Sequence, residues 1–242
     1  MTFTAVIWKD WIVFRNKIVS NTLSAVIGPL LYLIAFGWGI GDQVTVDGMS
    51  YLAFVIPGIA AMNAMGISFG TTANGINIAR LYDKTFEAEM MSPIRTLTFS
   101  AAKIIFGTLR GLYGAALILA VSLLFSGSLN ITPYFILVMA LNCCAFSGIG
   151  FIAGLKINSH ADMAKVSNFI ITPMSFLCGT LFPLTRFPAA LRYVFEFLPL
   201  SQAVNGLRGG HAVPGSWIPP TVLAAWCAVM FVVSVKVCRR AE

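Results

Sequence analysis

The sequence predicts an all-α integral membrane protein with six transmembrane helices, an interfacial amphipathic helix at its N-terminus, and two short re-entrant helices between spans five and six. Three observations lead there. Of 242 residues, 58% are hydrophobic and 10% charged, against roughly 25% charged in soluble domains. Mean hydropathy is +0.84, and a chain this short cannot hide so much apolar surface from water in one core. Six segments approach the length of about 20 mostly apolar residues that a bilayer requires: 21–40, 51–79, 99–125, 133–155, 166–183 and 217–238. Together they make one transmembrane domain over 1–242.

The first element, residues 1–20, precedes span one. Phe3, Ile7, Trp11, Phe14 and Ile18 fall within an arc of roughly 80° on a helix. Lys9 and Asn16 lie opposite that stripe, and two tryptophans with flanking cations suit the headgroup layer. A straight helical extension of span one is the alternative. Span one lacks a short-residue cleavage site and is expected to stay as an anchor. Span two is longer than a bilayer needs, so it is expected to tilt or to project.

Cations set the orientation. Lys9, Arg15, Lys17, Arg80, Lys84, Arg95, Lys103, Arg110, Lys156, Lys165, Lys236, Arg239 and Arg240 all fall on one side of this topology, leaving Arg186, Arg192 and Arg208 on the other. The cation-rich side is the cytoplasm, so both termini are cytoplasmic. Residues 184–216 are cut by Pro188, Pro199 and Pro214 into short helical stretches, 188–197 and 200–210. These are too short to span and too apolar for a free loop. Small-residue pairs at i, i+4 (Gly37/Gly41, Gly66/Gly70, Gly107/Gly111 and Gly150/Gly154) permit close helix contacts.

Absences narrow the chemistry. The sequence has no G-x-x-x-x-G-K-[ST] phosphate loop and no H-E-x-x-H. Its five cysteines, including the Cys143–Cys144 pair, lack metal or disulfide spacing and read as small hydrophobes. No catalytic, cofactor-binding or metal residues are expected. All nine acidic residues (10, 42, 47, 83, 87, 89, 162, 196 and 242) lie outside the six spans, whereas ion-coupled carriers place carboxylates near mid-membrane. Uphill work would then need energy from another subunit. A membrane enzyme acting on lipids would need a cluster of Asp, His or Ser that is not visible; a passive channel or scaffold would need no ATPase.

The richest candidate docking element is 80–95, RLYDKTFEAEMMSPIR. Tyr82, Lys84, Phe86, Glu87, Glu89, Met90 and Pro93 are its expected ATPase-coupling residues. Phe86, Met90 and Ile94 keep i, i+4 spacing, Thr85 can cap a short helix, and Pro93 ends it. Apolar anchors with interleaved charges suit docking, and a loop helix packed on its own bundle is the alternative. Arg110 lies roughly 16 Å into span three if that span starts at Phe99, or about 10 Å if it starts at Lys103. It either snorkels or faces a pathway and meets an anionic group. Arg186, Arg192 and Glu196 are the further pathway candidates. Arg192 and Glu196 can pair at i, i+4; Arg186 and Arg208 would attract anions near an exit or anchor to outer headgroups.

Residues 84–94 resemble the coupling-helix region of ABC-2 type permeases, closest to the nodulation-factor (lipo-oligosaccharide) export and daunorubicin-resistance-like branch. Tyr51–Gly58 (YLAFVIPG), Thr172-Pro173, Gly179–Pro183 (GTLFP) and Leu198–Val204 (LPLSQAV) followed by Leu207-Arg208 match in the family's order over nearly the whole chain. Glu89 and Met90-Met91 depart from the usual pattern. The resemblance implies a type V exporter-like permease in a bacterial inner membrane, which hydrolyses no ATP itself. It implies a second, identical permease protomer or a paired half-permease, two copies of a separate ABC ATPase docked on 80–95, and no nucleic-acid partner. The implied cargo is a lipid-linked glycan, lipo-oligosaccharide or hydrophobic drug moved outward past membrane lipids.

Overall fold

The computed structural model describes residues 3–39, 45–46, 49–92, 94–123, 131–209 and 217–240. Pro93, Gly41, Asp42, Asp47 and Pro214, which figure in the sequence argument, lie outside them. Eleven α-helices are named among the described residues: α1 Phe3–Asn16, α2 Ile18–Gly39, α3 Tyr51–Leu81, α4 Thr85–Met91, α5 Thr96–Ser122, α6 Pro133–Lys156, α7 His160–Val166, α8 Thr172–Leu177, α9 Ala189–Glu196, α10 Pro199–Gly209 and α11 Ile218–Arg239. Two-residue strands pair Thr45 with Ser50 and Val46 with Met49 just before α3.

Among the described residues, five helices (α2, α3, α5, α6 and α11) are long and apolar enough to cross a membrane. The stretch expected as a fifth span, 166–183, takes another form. Helical backbone starts earlier, at His160, passes through a π-helical turn at Ser167–Ile171 and stops at Leu177. Pro173 has no N–H for the carbonyl four residues back, and the ladder slips by one residue: the Thr172 N–H bonds to the Ser167 carbonyl. Beyond Cys178 the chain turns through Gly179, whose φ of +76° is left-handed and favours glycine.

The core forms where α3 packs between α5 and α6, with α10 closing one end against α3, α6 and α11. Ile56, Ile59, Phe146 and Leu200 are fully enclosed there. Glycine makes the α3–α5–α6 approach close. A Cβ on Gly111 would stand 1.8 Å from Ser68 Oγ, and one on Gly107 2.1 Å from Thr72 Oγ1. Thr72 and Ser147 hydroxyls hydrogen-bond across the contact at 2.8 Å. Gly107/Gly111 and Gly150/Gly154 therefore serve packing within the chain. Gly66 has open space beside it instead.

A second apolar cluster caps the α4 end of the bundle, where Val6, Phe86, Phe99, Phe151, Leu155 and Cys238 meet. Rings of Phe86, Phe99 and Phe151 run edge to face at 5.9 and 6.2 Å. Arg80 at the end of α3 donates to the Leu155 carbonyl and to Asn158 Oδ1, while Asn77 donates to the Ile157 carbonyl at 2.8 Å. These bonds satisfy carbonyls that the end of α6 would otherwise leave orphaned. At the other end, Arg208 of α10 ties three segments together. Its Nε donates to the Phe54 carbonyl at 2.9 Å, Nη1 to Gly179 and Nη2 to Thr180, both at 2.6 Å. Arg208 thus holds a turn, contrary to the expectation of an exit-side anion site.

Candidate functional site

The short helix α4 starts at a left-handed residue: Lys84 has φ +52° and no side-chain cap. Thr85, expected to cap the helix, is its first residue. The stripe of Phe86 and Met90 turns inward. Phe86 is buried on Phe99, and Met90 and Ile94 pack on the same cluster. Glu89, expected to face outward, is 5% exposed and accepts from Lys9 Nζ at 2.6 Å. The outward face is Tyr82, Lys84, Glu87 and Met91, with Met91 88% exposed. Two docking anchors from the sequence stripe are therefore intramolecular.

Helix α1 packs through part of the expected stripe, with Phe3 and Ile7 against the α4-end cluster. Val6 and Phe14 are its buried residues, and Trp8 and Trp11 are exposed. Lys9, placed by periodicity opposite the apolar stripe, instead faces Glu89. Asp10 is gripped by Lys103 of α5 at 2.8 and 2.9 Å. One short helix thereby latches both α4 and α5.

Arg110 stands fourteen residues into α5, about 21 Å along the helix axis from Thr96 at 1.5 Å per residue. Its guanidinium lies 4.0 Å from the centroid of the Phe14 ring, and its Nε is buried without a hydrogen-bond partner. Among the described residues no carboxylate pairs with it. It lines three hollows at once: a polar cavity of about 460 Å³ between α2 and α3, a neighbouring one of about 280 Å³ reaching Lys17 and Lys103, and an apolar groove of about 480 Å³ along α1. Asn21, Ser24 and Gly28 of α2 face Asn63, Gly66, Gly70 and Thr71 of α3 across the first cavity.

The sequence comparisons fit this architecture. The pattern defining the ABC-2 type transporter family matches residues 1–211. The chain belongs to the ABC-2 type transporter family. The inner membrane transport permease YadH of Escherichia coli (strain K12) is 27% identical over 223 residues, 91% of this chain and 86% of its own length. Nodulation protein J of Rhizobium leguminosarum bv. viciae is 25% identical over 245 residues, covering 99% and 95%. Nodulation protein J of Rhizobium meliloti (strain 1021) is 27% identical over 206 residues, 84% and 78%. No solved structure matches. This ABC-2 chain is a membrane permease subunit of an ABC transporter, and its family works with an ABC ATPase subunit.

The remaining expected site residues of this ABC-2 permease are scattered. Arg192 and Glu196 pair at 2.6 Å on the exposed surface of α9, and that hydrogen bond raises the Arg192 pKa above its ordinary value. Arg186 sits on a 3-10 turn, Leu184–Arg186, and its side chain is outside the described set. Neither Arg192 nor Glu196 lines the three hollows around Arg110. The polar faces of α2 and α3 were missed from sequence, although Asn21 and Ser24, and Thr71 and Asn74, are each three residues apart and Asn63 lies about two helical turns before Thr71 within otherwise apolar helices.

Proposed function

We propose that this permease subunit exports an amphiphile, driven by two copies of a separate ABC ATPase docked on the outward face of α4, as one of two identical protomers in a bacterial inner membrane. The observation that carries this is the two-sidedness of α4. Its inner side is fastened to α5 through Phe86–Phe99 and to α1 through Lys9–Glu89, while Tyr82, Lys84, Glu87 and Met91 remain outside. A partner pressing on that face moves a helix already joined to two others. Helix α1 in turn touches Arg110 through Phe14, so closure of the ATPases on ATP would shift α1 and α5 against α2 and widen the polar cavity.

The reading has six crossings with both termini in the cytoplasm: the five long helices plus the broken His160–Leu177 segment and its following turn. The α9 and α10 helices are then re-entrant on the outer side, and α1 lies in the inner headgroup layer, where exposed Trp8 and Trp11 are at home. No acidic residue lies within the long helices, which favours energy arriving through a protein contact over an ion gradient.

Copurification of the ATPase with the variant Tyr82→Ala/Glu87→Ala/Met91→Ala tests the docking face. The variant is expected to fold with an unchanged melting temperature, because these side chains are exposed, yet to lose the ATPase. Retention of the ATPase at wild-type stoichiometry would refute the assignment of that face. By contrast, Phe86→Ala is expected to cost about 3–5 kcal/mol of stability, since that ring is core.

A further inference from the structure

Three other cations of the bundle have oxygen partners among the described residues. Lys103 is held by Asp10, and Arg80 and Arg208 by backbone carbonyls. Arg110 is different, with a ring face beneath it and a buried Nε that donates to nothing. A buried guanidinium nitrogen without a partner is costly unless something compensates it. The polar cavity it lines contains no carboxylate, and the one in the adjoining cavity, Asp10, is already engaged by Lys103. What remains around Arg110 are the side-chain amides of Asn21 and Asn63 and the Thr71 hydroxyl, one Asn63 N–H being engaged by the Gly114 carbonyl at 3.4 Å and the other left to donate.

The third hollow supplies the other half of a ligand. The apolar groove shares Arg110 and Tyr113 with the polar cavity, and beyond them it is walled by Phe14, Ile7, Trp8 and Trp11. Phe14 packs edge to face on Tyr113 at 5.6 Å, and the Tyr113 hydroxyl bonds with Thr22 at 2.7 Å. A thin aromatic partition with a cation in it thus separates a polar chamber from an apolar one.

We propose that Arg110 binds the anionic, phosphate-type headgroup of an amphiphile, seated among Asn21, Asn63 and Thr71, with its chain lying in the groove along Trp8 and Trp11. A guanidinium offers a planar fork that matches two phosphate oxygens, and single aliphatic chains suit a groove walled by indoles and alkyl side chains. This names the substrate class at the pathway residue of the export reading and rests on that reading for its transport role; binding itself involves the permease alone.

The test uses the full chain in phosphatidylcholine nanodiscs, with binding of lauroyl lysophosphatidic acid compared with neutral lauroyl monoacylglycerol. Wild type is expected to prefer the phosphate lipid by about tenfold, the size of one charge-assisted hydrogen bond. Arg110→Gln is expected to reduce the preference to less than about twofold, with Arg110→Lys between, and Trp8→Ala is expected to weaken both lipids alike. Thr71→Val gives a second, uncharged probe of the headgroup pocket and should lower the preference without altering monoacylglycerol binding. Inorganic phosphate at the same concentration is expected to leave lysophosphatidic acid bound. An unchanged preference in Arg110→Gln overturns the proposal, as does displacement by inorganic phosphate as effective as by the lipid, which would make this a free-anion site. Such a failure would leave ATPase association through α4 intact, and failure of the α4 experiment would leave this binding intact.

Discussion

Replacing Arg208 with alanine removes donors from three carbonyls in one step, those of Phe54, Gly179 and Thr180, together with a guanidinium stacked 3.5 Å from the Phe54 ring centroid. A hydrogen bond from a charged donor is worth about 1.5–3 kcal/mol net. The three share one half-buried group, and water can reach part of the vacated space, so their sum is not additive. About 3–5 kcal/mol is the expected loss. At roughly 2–4 °C per kcal/mol for a chain of this size, the melting temperature in neutral detergent should fall by about 6–20 °C. Arg208→Lys keeps the charge but not the fork, and is expected to recover less than half of that. Fluorescence-detected melting of the three proteins side by side reads the effect. If Arg208→Ala melts within about 1 °C of wild type, the clamp does not hold α10, the 178–180 turn and the start of α3 together.

Two further effects follow from the packing. Gly111→Ala would drive a methyl against Ser68 Oγ, the Ala64 carbonyl and Cys143 Sγ, and overpacking of that kind costs about 1–3 kcal/mol; a melting temperature equal to or above wild type would contradict the close α3–α5 contact. Lys9→Ala should destabilise more than the double variant Lys9→Ala/Glu89→Gln, because the single change strands a carboxylate that is 5% exposed while the double change removes that charge. A thermal double-mutant cycle measures the difference, and a double variant no more stable than the single one would show that the pair carries no coupling.

The long helices were legible because membrane length imposes its own signal. Four of the expected spans agree with α2, α3, α6 and α11 to within three residues at either end, and α5 is displaced by three residues towards the N-terminus. The 188–197 and 200–210 stretches were legible from prolines that bracket them. Residues 166–183 were not, because their composition is apolar enough for a span while Pro173 and the left-handed Gly179 reshape the backbone without changing hydropathy. On α4 the periodicity of Phe86, Met90 and Ile94 correctly marked a stripe, but a stripe does not say whether its own bundle or a partner covers it. The Lys9–Glu89 and Asp10–Lys103 pairs span 80 and 93 positions, beyond any local pattern. Arg110 stood out as a charge inside a span, while the donors around it were diluted among apolar neighbours and gained meaning only when α2 and α3 faced each other.

Proteoliposomes holding the permease, with or without its ATPase, and a fluorescent phosphate-bearing amphiphile confront the central claim directly. Outward movement is expected only when ATP, magnesium and the ATPase are all on the cytoplasmic side, and it should persist after protonophore and sodium ionophore collapse every ion gradient. Transport by the permease alone, powered by a proton or sodium gradient in the absence of nucleotide, would contradict it.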